Sequence, residues 1–171
     1  MKKQSFASSR FVVALLVVAC AAQAAPGSPS PMPEMRMTAG ELKDPPVDKN
    51  QIGSSGLVGV HTKVLYGDPS KAGLYSILLY VPANTTIQAH SHRDDRMATV
   101  VSGTWHFGYG DKFDASKLQD LPPGSVYSEP GTKSHPHFAQ TQKEAVVVHI
   151  VGYGPTDTVY VDPANDPSKK K

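Results

Sequence analysis

The chain has 171 residues, with 17 Lys and Arg against 15 Asp and Glu, a formal charge of +2 at pH 7. Three basic residues lie in an N-terminal segment that we expect to be removed, and three lysines end the chain; without these six, 11 basic residues face 15 acidic ones. This balance excludes the basic surface that nucleic-acid binding requires, and the single cysteine excludes a disulfide framework or a thiolate zinc site.

Residues 1–24 have the pattern of a bacterial secretory signal peptide. A basic start, MKKQSFASSR, precedes the apolar run FVVALLVVACAA, which is too short to span a bilayer comfortably. The small-x-small pattern at 22–24 predicts cleavage after Ala24, which leaves a periplasmic or secreted protein without a transmembrane span. The stretch VVAC at 17–20 also fits a lipoprotein signal, in which Cys20 is acylated and anchors the mature protein.

The remainder divides into three regions. Residues 25–50 contain six prolines and no apolar periodicity, which predicts an extended lead-in. Residues 51–162 show no internal repeat or change of composition, so we expect one domain there. Residues 163–171 (PANDPSKKK) predict a flexible basic tail.

The domain is predicted to be all-β. Short runs rich in Val, Ile, Tyr and Thr alternate with turn signals such as GDPSKAG, PANTT and PPGS, which predicts a sandwich or barrel. The only helical pattern, DASKLQD at 114–120, has room for one or two turns before Pro122. The nine predicted strands are 57–66, 73–81, 86–90, 97–101, 104–109, 125–129, 135–141, 145–151 and 158–161.

Two pairs of histidines carry the clearest chemical signal. Residues two apart on a strand face the same side, so His90 and His92 can direct both imidazoles at one point, and His135 and His137 repeat the arrangement. One such pair is as typical of a protein surface as of a metal site. Two pairs about 45 residues apart favour a metal site.

Both stretches resemble signatures of the cupin superfamily. PANTTIQAHSHRDDRMATVVSG is similar to the first, a His-x-His followed by a Glu and then a Gly, and GSVYSEPGTKSHPHF is similar to the second, a Gly followed by a Pro and a His. His90, His92 and Gly103 are in register with the first, and Gly124 and Pro130 with the second. The resemblance covers about residues 57–161. It implies a double-stranded β-helix (jelly-roll barrel) with a divalent metal in its mouth, and the pairing of cupins through outer strands leads us to expect a homodimer.

Arg96 stands where the family places its metal-binding Glu, while Asp94 and Asp95 come one or two residues too early. Arginine is a permanent cation and cannot bind a metal ion. An inward Arg96 would bind an anionic group of a ligand through its planar donor fork. An outward Arg96 would pair with Asp94 or Asp95.

The resemblance leaves two candidates for the third histidine. The spacing from Pro130 selects His135, whereas the Pro-His-Phe context selects His137, which we take as the ligand with His135 as the alternative. Together with His90 and His92, it would form a site of three neutral imidazoles. Such a site suits Zn²⁺, Ni²⁺, Fe²⁺ or Cu²⁺ and lacks the carboxylate that Mn²⁺ prefers.

Two further strands offer residues that would bind a ligand. His106 alternates with Trp105 and Phe107, so one side of that strand is expected to line the cavity. Tyr127 alternates with Glu129 on the strand that enters the second motif, where either would supply a proton donor or acceptor. We therefore predict Arg96, His106 and Tyr127 as ligand-binding residues.

Two functions follow from these features. The first is a small metalloenzyme, of Lewis-acid or dioxygenase type, whose ion acts on an oxygen-bearing small molecule or activates water. The second is a non-catalytic module of the cell envelope that binds a small ligand or a metal. No Gly-x-Ser-x-Gly nucleophile motif occurs, and the substrate stays open because one barrel hosts many chemistries.

Overall fold

A computed structural model describes residues 32–43, 52–131 and 133–170. The predicted signal peptide and both predicted processing sites lie outside the described residues. Part of the lead-in is described and contains a short helix, Ala39–Lys43 (α1), which the sequence did not predict. Within the described ranges, no helix is long and apolar enough to cross a membrane.

The described residues form ten strands in two antiparallel sheets, which confirms the all-β prediction. The first sheet has the order β1-β2-β9-β4-β7 and the second sheet the order β10-β3-β8-β5-β6. The strands are His61–Tyr66 (β1), Gly73–Val81 (β2), Thr86–Ser91 (β3), Arg96–Ser102 (β4), Trp105–Tyr109 (β5), Gln119–Leu121 (β6), Val126–Glu129 (β7), His137–Gln140 (β8), Val146–Gly154 (β9) and Val159–Tyr160 (β10).

One hydrophobic core is shared by the two sheets. On β2, Tyr75, Ile77 and Leu79 alternate into it, as the two-residue period of a strand requires. Trp105 and Phe107 enter it from β5 in the second sheet. Fully burying a side chain of this kind contributes about 1.5–3 kcal/mol, so alternating apolar residues hold the two sheets together.

The segment after β5 differs from its prediction. Residues 115–117 form a single 3-10 turn, capped by the Asp114 side chain, which accepts a hydrogen bond from the Ser116 amide. The chain then extends into β6, where Leu121 lies opposite Trp105 on β5 and is buried in the core. A continued helix would lose this burial, so tertiary packing overrides the local helical preference.

The ends of the domain also differ in detail. The first predicted strand, 57–66, begins only at His61. The tail contains two 3-10 turns, Pro163–Asn165 and Pro167–Lys169, which are capped by Asp162 and Asp166. Its predicted flexibility is not tested by these turns.

Gly103, the glycine of the first histidine motif, forms the turn between β4 and β5. Its φ is 72°, a left-handed conformation that glycine adopts without strain. A Cβ atom here would clash with the backbone carbonyl oxygen of Ala145. The turn therefore requires glycine both for its backbone angle and for its close neighbour.

Candidate metal centre

A β-bulge brings the first histidine pair to the interior. The ladder between β3 and β8 changes register between Ile87 and His90. Strict alternation would put residues three apart on opposite faces, yet Ile87, His90 and His92 all line one interior cavity. A bulge commonly re-aims side chains in this way beside functional sites.

His137 completes a compact cluster with His90 and His92. It begins β8 and lies directly opposite His90 in the ladder, with their ring centroids 4.4 Å apart. All three side chains are buried, and their potential ligand nitrogens lie within 4.8 Å of one another. His135 is exposed in the turn before β8 and outside this cluster, because the extended segment starts only at His137.

Backbone carbonyls orient two of the imidazoles. The Nδ1 atom of His90 lies 2.8 Å from the Gln88 carbonyl oxygen, and that of His92 lies 2.5 Å from the Asp157 carbonyl oxygen. A carbonyl only accepts, so each Nδ1 carries the proton and each Nε2 presents a lone pair to the interior. Among the described residues, the buried Nε2 of His137 has no hydrogen-bond partner.

Burial keeps these imidazoles neutral. It lowers the pKa of His90 to about 3, with a further contribution from His137. Burial and the nearby Arg96 charge lower the pKa of His137 to about 3. The same two causes hold the pKa of His92 well below its usual value. Since neutral imidazole is the form that binds metal ions, the three side chains fit a divalent cation at neutral pH.

An ion pair on the first sheet faces this cluster. Arg96 begins β4 and Glu129 ends β7, and the two are register partners. The Arg96 Nε donates to Glu129 Oε2 at 2.5 Å, and its Nη2 contacts both that oxygen and the Nε2 of His92. Both side chains are buried. Burial by itself would lower the pKa of Arg96, but Glu129, Tyr75 and Asp94 together outweigh it and raise that pKa.

Arg96 therefore points inward, and the outward pairing does not occur. Asp94 accepts instead a hydrogen bond from the Tyr75 hydroxyl at 2.6 Å, and Asp95 accepts one from the Gly131 amide at 2.7 Å. Neither aspartate takes the position of a metal-binding carboxylate. The carboxylate beside the histidines is that of Glu129, for which the sequence predicted only a role as proton donor or acceptor.

The cavity inside the cluster is small. Its volume is about 20 Å³, which is enough for about one water molecule. The segment Gly53–Ser55 covers it: the Gly53 carbonyl oxygen lies 3.3 Å from Arg96 Nη1, and the Ser55 carbonyl accepts a hydrogen bond from the Tyr160 hydroxyl at 2.7 Å. A small-molecule ligand would need this cover or Arg96 to move.

The structure does not bring His106 to the cavity, which corrects the expectation that it binds the ligand. Trp105 and Phe107 take the inner face of β5. His106 faces the other way, where its Nδ1 lies 2.5 Å from an Asp120 carboxylate oxygen on β6. Sequence alternation identified the two faces of the strand and left open which one is inside.

Tyr127 lies inside the barrel but beside the cavity instead of on its wall. Its ring packs on Phe107 with centroids 4.2 Å apart, and its hydroxyl is buried. Burial and the Glu129 charge raise the pKa of Tyr127. Its hydroxyl therefore stays protonated at neutral pH.

A larger cavity lies away from this chemistry. It has a volume of about 420 Å³ and lies on the outer side of the first sheet, between α1 and the strands. Its lining includes three methionines of the lead-in and His149, with leucines and valines. The three interior histidines do not reach it, so size does not identify the site here.

Comparisons with known proteins support the fold. No family model matches the chain, and no curated protein matches it. The polyketide cyclase RemF from Streptomyces resistomycificus is 15% identical, with a TM-score of 0.58 over 78% of this chain and 89% of that one. The DMSP lyase DddQ from Ruegeria pomeroyi is 18% identical, with a TM-score of 0.53 over 80% of this chain and 84% of that one.

A cupin 2 conserved barrel domain protein from Rhodopseudomonas palustris is 15% identical, with a TM-score of 0.48 over 64% of this chain and 71% of that one. The likeness to RemF and DddQ shows a shared fold and leaves the reaction open. The sheet topology, the two histidine motifs and the likeness to these two solved structures agree. The chain has the cupin fold, a double-stranded β-helix.

Proposed function

We propose that the chain binds a divalent metal ion through His90, His92 and His137 and presents it as a Lewis acid to a small oxygen-bearing molecule. The observation that carries the proposal is the convergence of three neutral, buried imidazoles, one of which has no hydrogen-bond partner for its Nε2 among the described residues. A buried polar atom without a partner is costly, and a metal ion would satisfy it. Zn²⁺, Ni²⁺, Fe²⁺ and Cu²⁺ suit this donor set.

Arg96 and the cover segment determine what else would bind. The guanidinium of Arg96 is a buried cation next to His92, so it would favour an anionic oxygen in the ligand. Gly53 and Ser55 line the same cavity, so their backbone would lie beside that ligand. When bound, the metal would polarise an oxygen of the ligand, a role suited to small carboxylates, enolates or similar anions.

Metal content tests this proposal directly. We expect about one divalent ion per chain after incubation with Zn²⁺, Ni²⁺, Fe²⁺ or Cu²⁺, measured by elemental analysis of the desalted protein. His92→Ala should lose the ion because it removes one oriented donor. A wild-type protein that stays metal-free with all four ions would overturn the proposal.

A second function, non-catalytic metal binding, is favoured by the volume of the cavity. About 20 Å³ holds an ion or a water and is far below the size of ordinary ligand pockets. A substrate screen with the metal-loaded protein separates the two functions. Turnover above that of His92→Ala supports the enzyme, and equal traces in both support binding alone.

We also propose that the protein is exported. The proposal rests on residues 1–24, a basic segment followed by a short apolar run with a cleavage pattern. Mass spectrometry of the protein from cell envelopes should find a chain that begins at Ala25. A chain that begins at an acylated Cys20 would instead establish the lipoprotein, and an uncut cytoplasmic chain would contradict both.

A homodimer is a separate proposal that rests on the resemblance to cupins, which often pair through their outer strands. Sedimentation equilibrium of the mature protein should give twice the chain mass. Sedimentation as a monomer at all concentrations would remove it.

A further inference from the structure

Glu129 faces the histidine cluster from the opposite sheet. Its Oε2 lies 3.6 Å from His92 Nε2, and its Oε1 lies 3.7 Å from His137 Nε2. Both distances exceed the usual N···O range of hydrogen bonds, about 2.7–3.2 Å. Each distance involves a different oxygen, and Glu129 is not among the three side chains whose ligand atoms all lie within 4.8 Å of one another. To join the ion, one carboxylate oxygen would therefore move closer to the cluster, to the spacing of about 3.3 Å that bonds of about 2.0–2.1 Å impose on neighbouring ligands of a tetrahedral ion.

The two oxygens of Glu129 have different surroundings. Oε2 is held by Arg96 through both Nε and Nη2. Oε1 is directed to the Nε2 of His137, the atom that lacks a hydrogen-bond partner among the described residues. Arg96 therefore orientates one oxygen of Glu129. The other oxygen is available beside an imidazole nitrogen of the cluster that has no hydrogen-bond partner among the described residues. Carboxylate ligands of metals are commonly orientated by such a second contact.

We propose that Glu129 is the fourth, anionic ligand of the metal, a proposal that rests on metal binding by the three histidines. Glu129 lies on β7 directly opposite Arg96. The fold therefore places a carboxylate beside the histidines although β4 carries an arginine at the position where cupins have a metal-binding Glu. Arg96 then competes with the metal, because its guanidinium contacts the Nε2 of His92 and an oxygen of Glu129. Metal binding requires Arg96 to leave His92.

The competition predicts opposite effects of two substitutions on one ion pair. Glu129→Gln removes the anionic ligand and should weaken metal affinity at least about tenfold. Arg96→Met removes the cation that contacts His92 and repels the metal ion. This gain should outweigh the lost orientation of Glu129 and strengthen affinity about tenfold. A purely structural ion pair predicts that both variants move affinity in the same direction, since each leaves one buried charge without its partner.

The measurement is a titration of the metal-free protein with Co²⁺, followed by its visible absorption, and with Zn²⁺ against a chromophoric chelator. Loss of Glu129 should also change the Co²⁺ spectrum, which reports the ligand set. Asp95→Asn is the matched control, because Asp95 is a neighbouring carboxylate that bonds to the Gly131 amide instead of facing the histidines. It should leave affinity and spectrum unchanged.

The outcomes separate this inference from the function on which it rests. Wild-type protein that binds neither ion would refute the proposed function. Tight binding by wild type with the same affinity and spectrum in Glu129→Gln would refute only the role of Glu129. If thermal melting shows that Glu129→Gln is unfolded, Glu129→Asp decides, because it keeps the charge opposite Arg96 and withdraws the carboxylate from the histidines. It should weaken Co²⁺ binding and change the spectrum, and wild-type affinity and spectrum in the folded variant would overturn the inference.

Discussion

The histidines on the two faces of the barrel wall differ in what satisfies them. On the outside, His106 pairs with the Asp120 carboxylate at 2.5 Å, and His149 on β9 lies 2.7 Å from the Ser76 hydroxyl. On the inside, His137 has a buried Nε2 with no hydrogen-bond partner among the described residues. Leaving such a buried polar atom unsatisfied costs about 1–3 kcal/mol. The contrast shows that the hydrogen-bond partner of a histidine, or the lack of one, indicates its role better than the presence of a histidine alone.

The inner cluster therefore lowers the stability of the fold locally, and the packing of the rest of the domain offsets this loss. Apolar residues at these inward positions would pack without unsatisfied atoms, as Ile87 and Ala139 do beside them. Stability alone gives no reason for three histidines here, whereas metal binding does.

The largest difference between the two faces should be in metal affinity. His137→Gln removes a donor of the inner cluster and should weaken Zn²⁺ binding at least about 100-fold, as the loss of a direct ligand exceeds the 10–100-fold effect of an outer contact. His106→Gln, on the outer face, should bind as wild type does. Competition titration with a chelator measures both, and equal losses in the two variants would erase the distinction.

The second difference should be in the pH dependence of folding. An unfolded histidine titrates near 6.5, whereas the pKa of His137 in the native protein is about 3. Between these values the unfolded chain binds a proton that the native protein does not, so stability falls as the pH is lowered through this window. Each such histidine contributes up to about 1.4 kcal/mol per pH unit.

Chemical denaturation of the metal-free protein between pH 5 and 6 measures this slope. Relative to wild type, His137→Gln should reduce the slope of the free energy of unfolding against pH by nearly the contribution of one proton. An unchanged slope would mean that His137 takes up its proton in the native state, contrary to the burial that lowers its pKa.

The smallest effect is expected on the outer face. The Asp120 side chain is 73% exposed, so its contact with His106 is screened by water. The His106 side chain is buried, but its partner is exposed to water, so breaking the contact with Asp120→Asn should cost about 1 kcal/mol or less in the free energy of unfolding. A larger loss in urea denaturation would show that the outer histidines are held as firmly as the inner ones.

Local pattern predicted much of the fold and part of the site. The alternation of apolar residues located most strands, and the spacing of His90 from His92 anticipated that both face one side. The direction of Arg96 was left open because the choice between Glu129 and the aspartates depends on which strand lies beside β4. The side on which His106 lies was left open, because alternation does not tell which face of a strand is inside.

By itself, the sequence determined the all-β architecture, the two histidine motifs and the absence of a carboxylate from the usual position on β4. These properties are local, since a two-residue period and a glycine turn depend on near neighbours. Tertiary structure decided which histidines meet, through a bulge between Ile87 and His90, and supplied Glu129 from the strand opposite Arg96. Strand register and sheet facing arise from contacts between residues far apart in the chain, which no local pattern specifies.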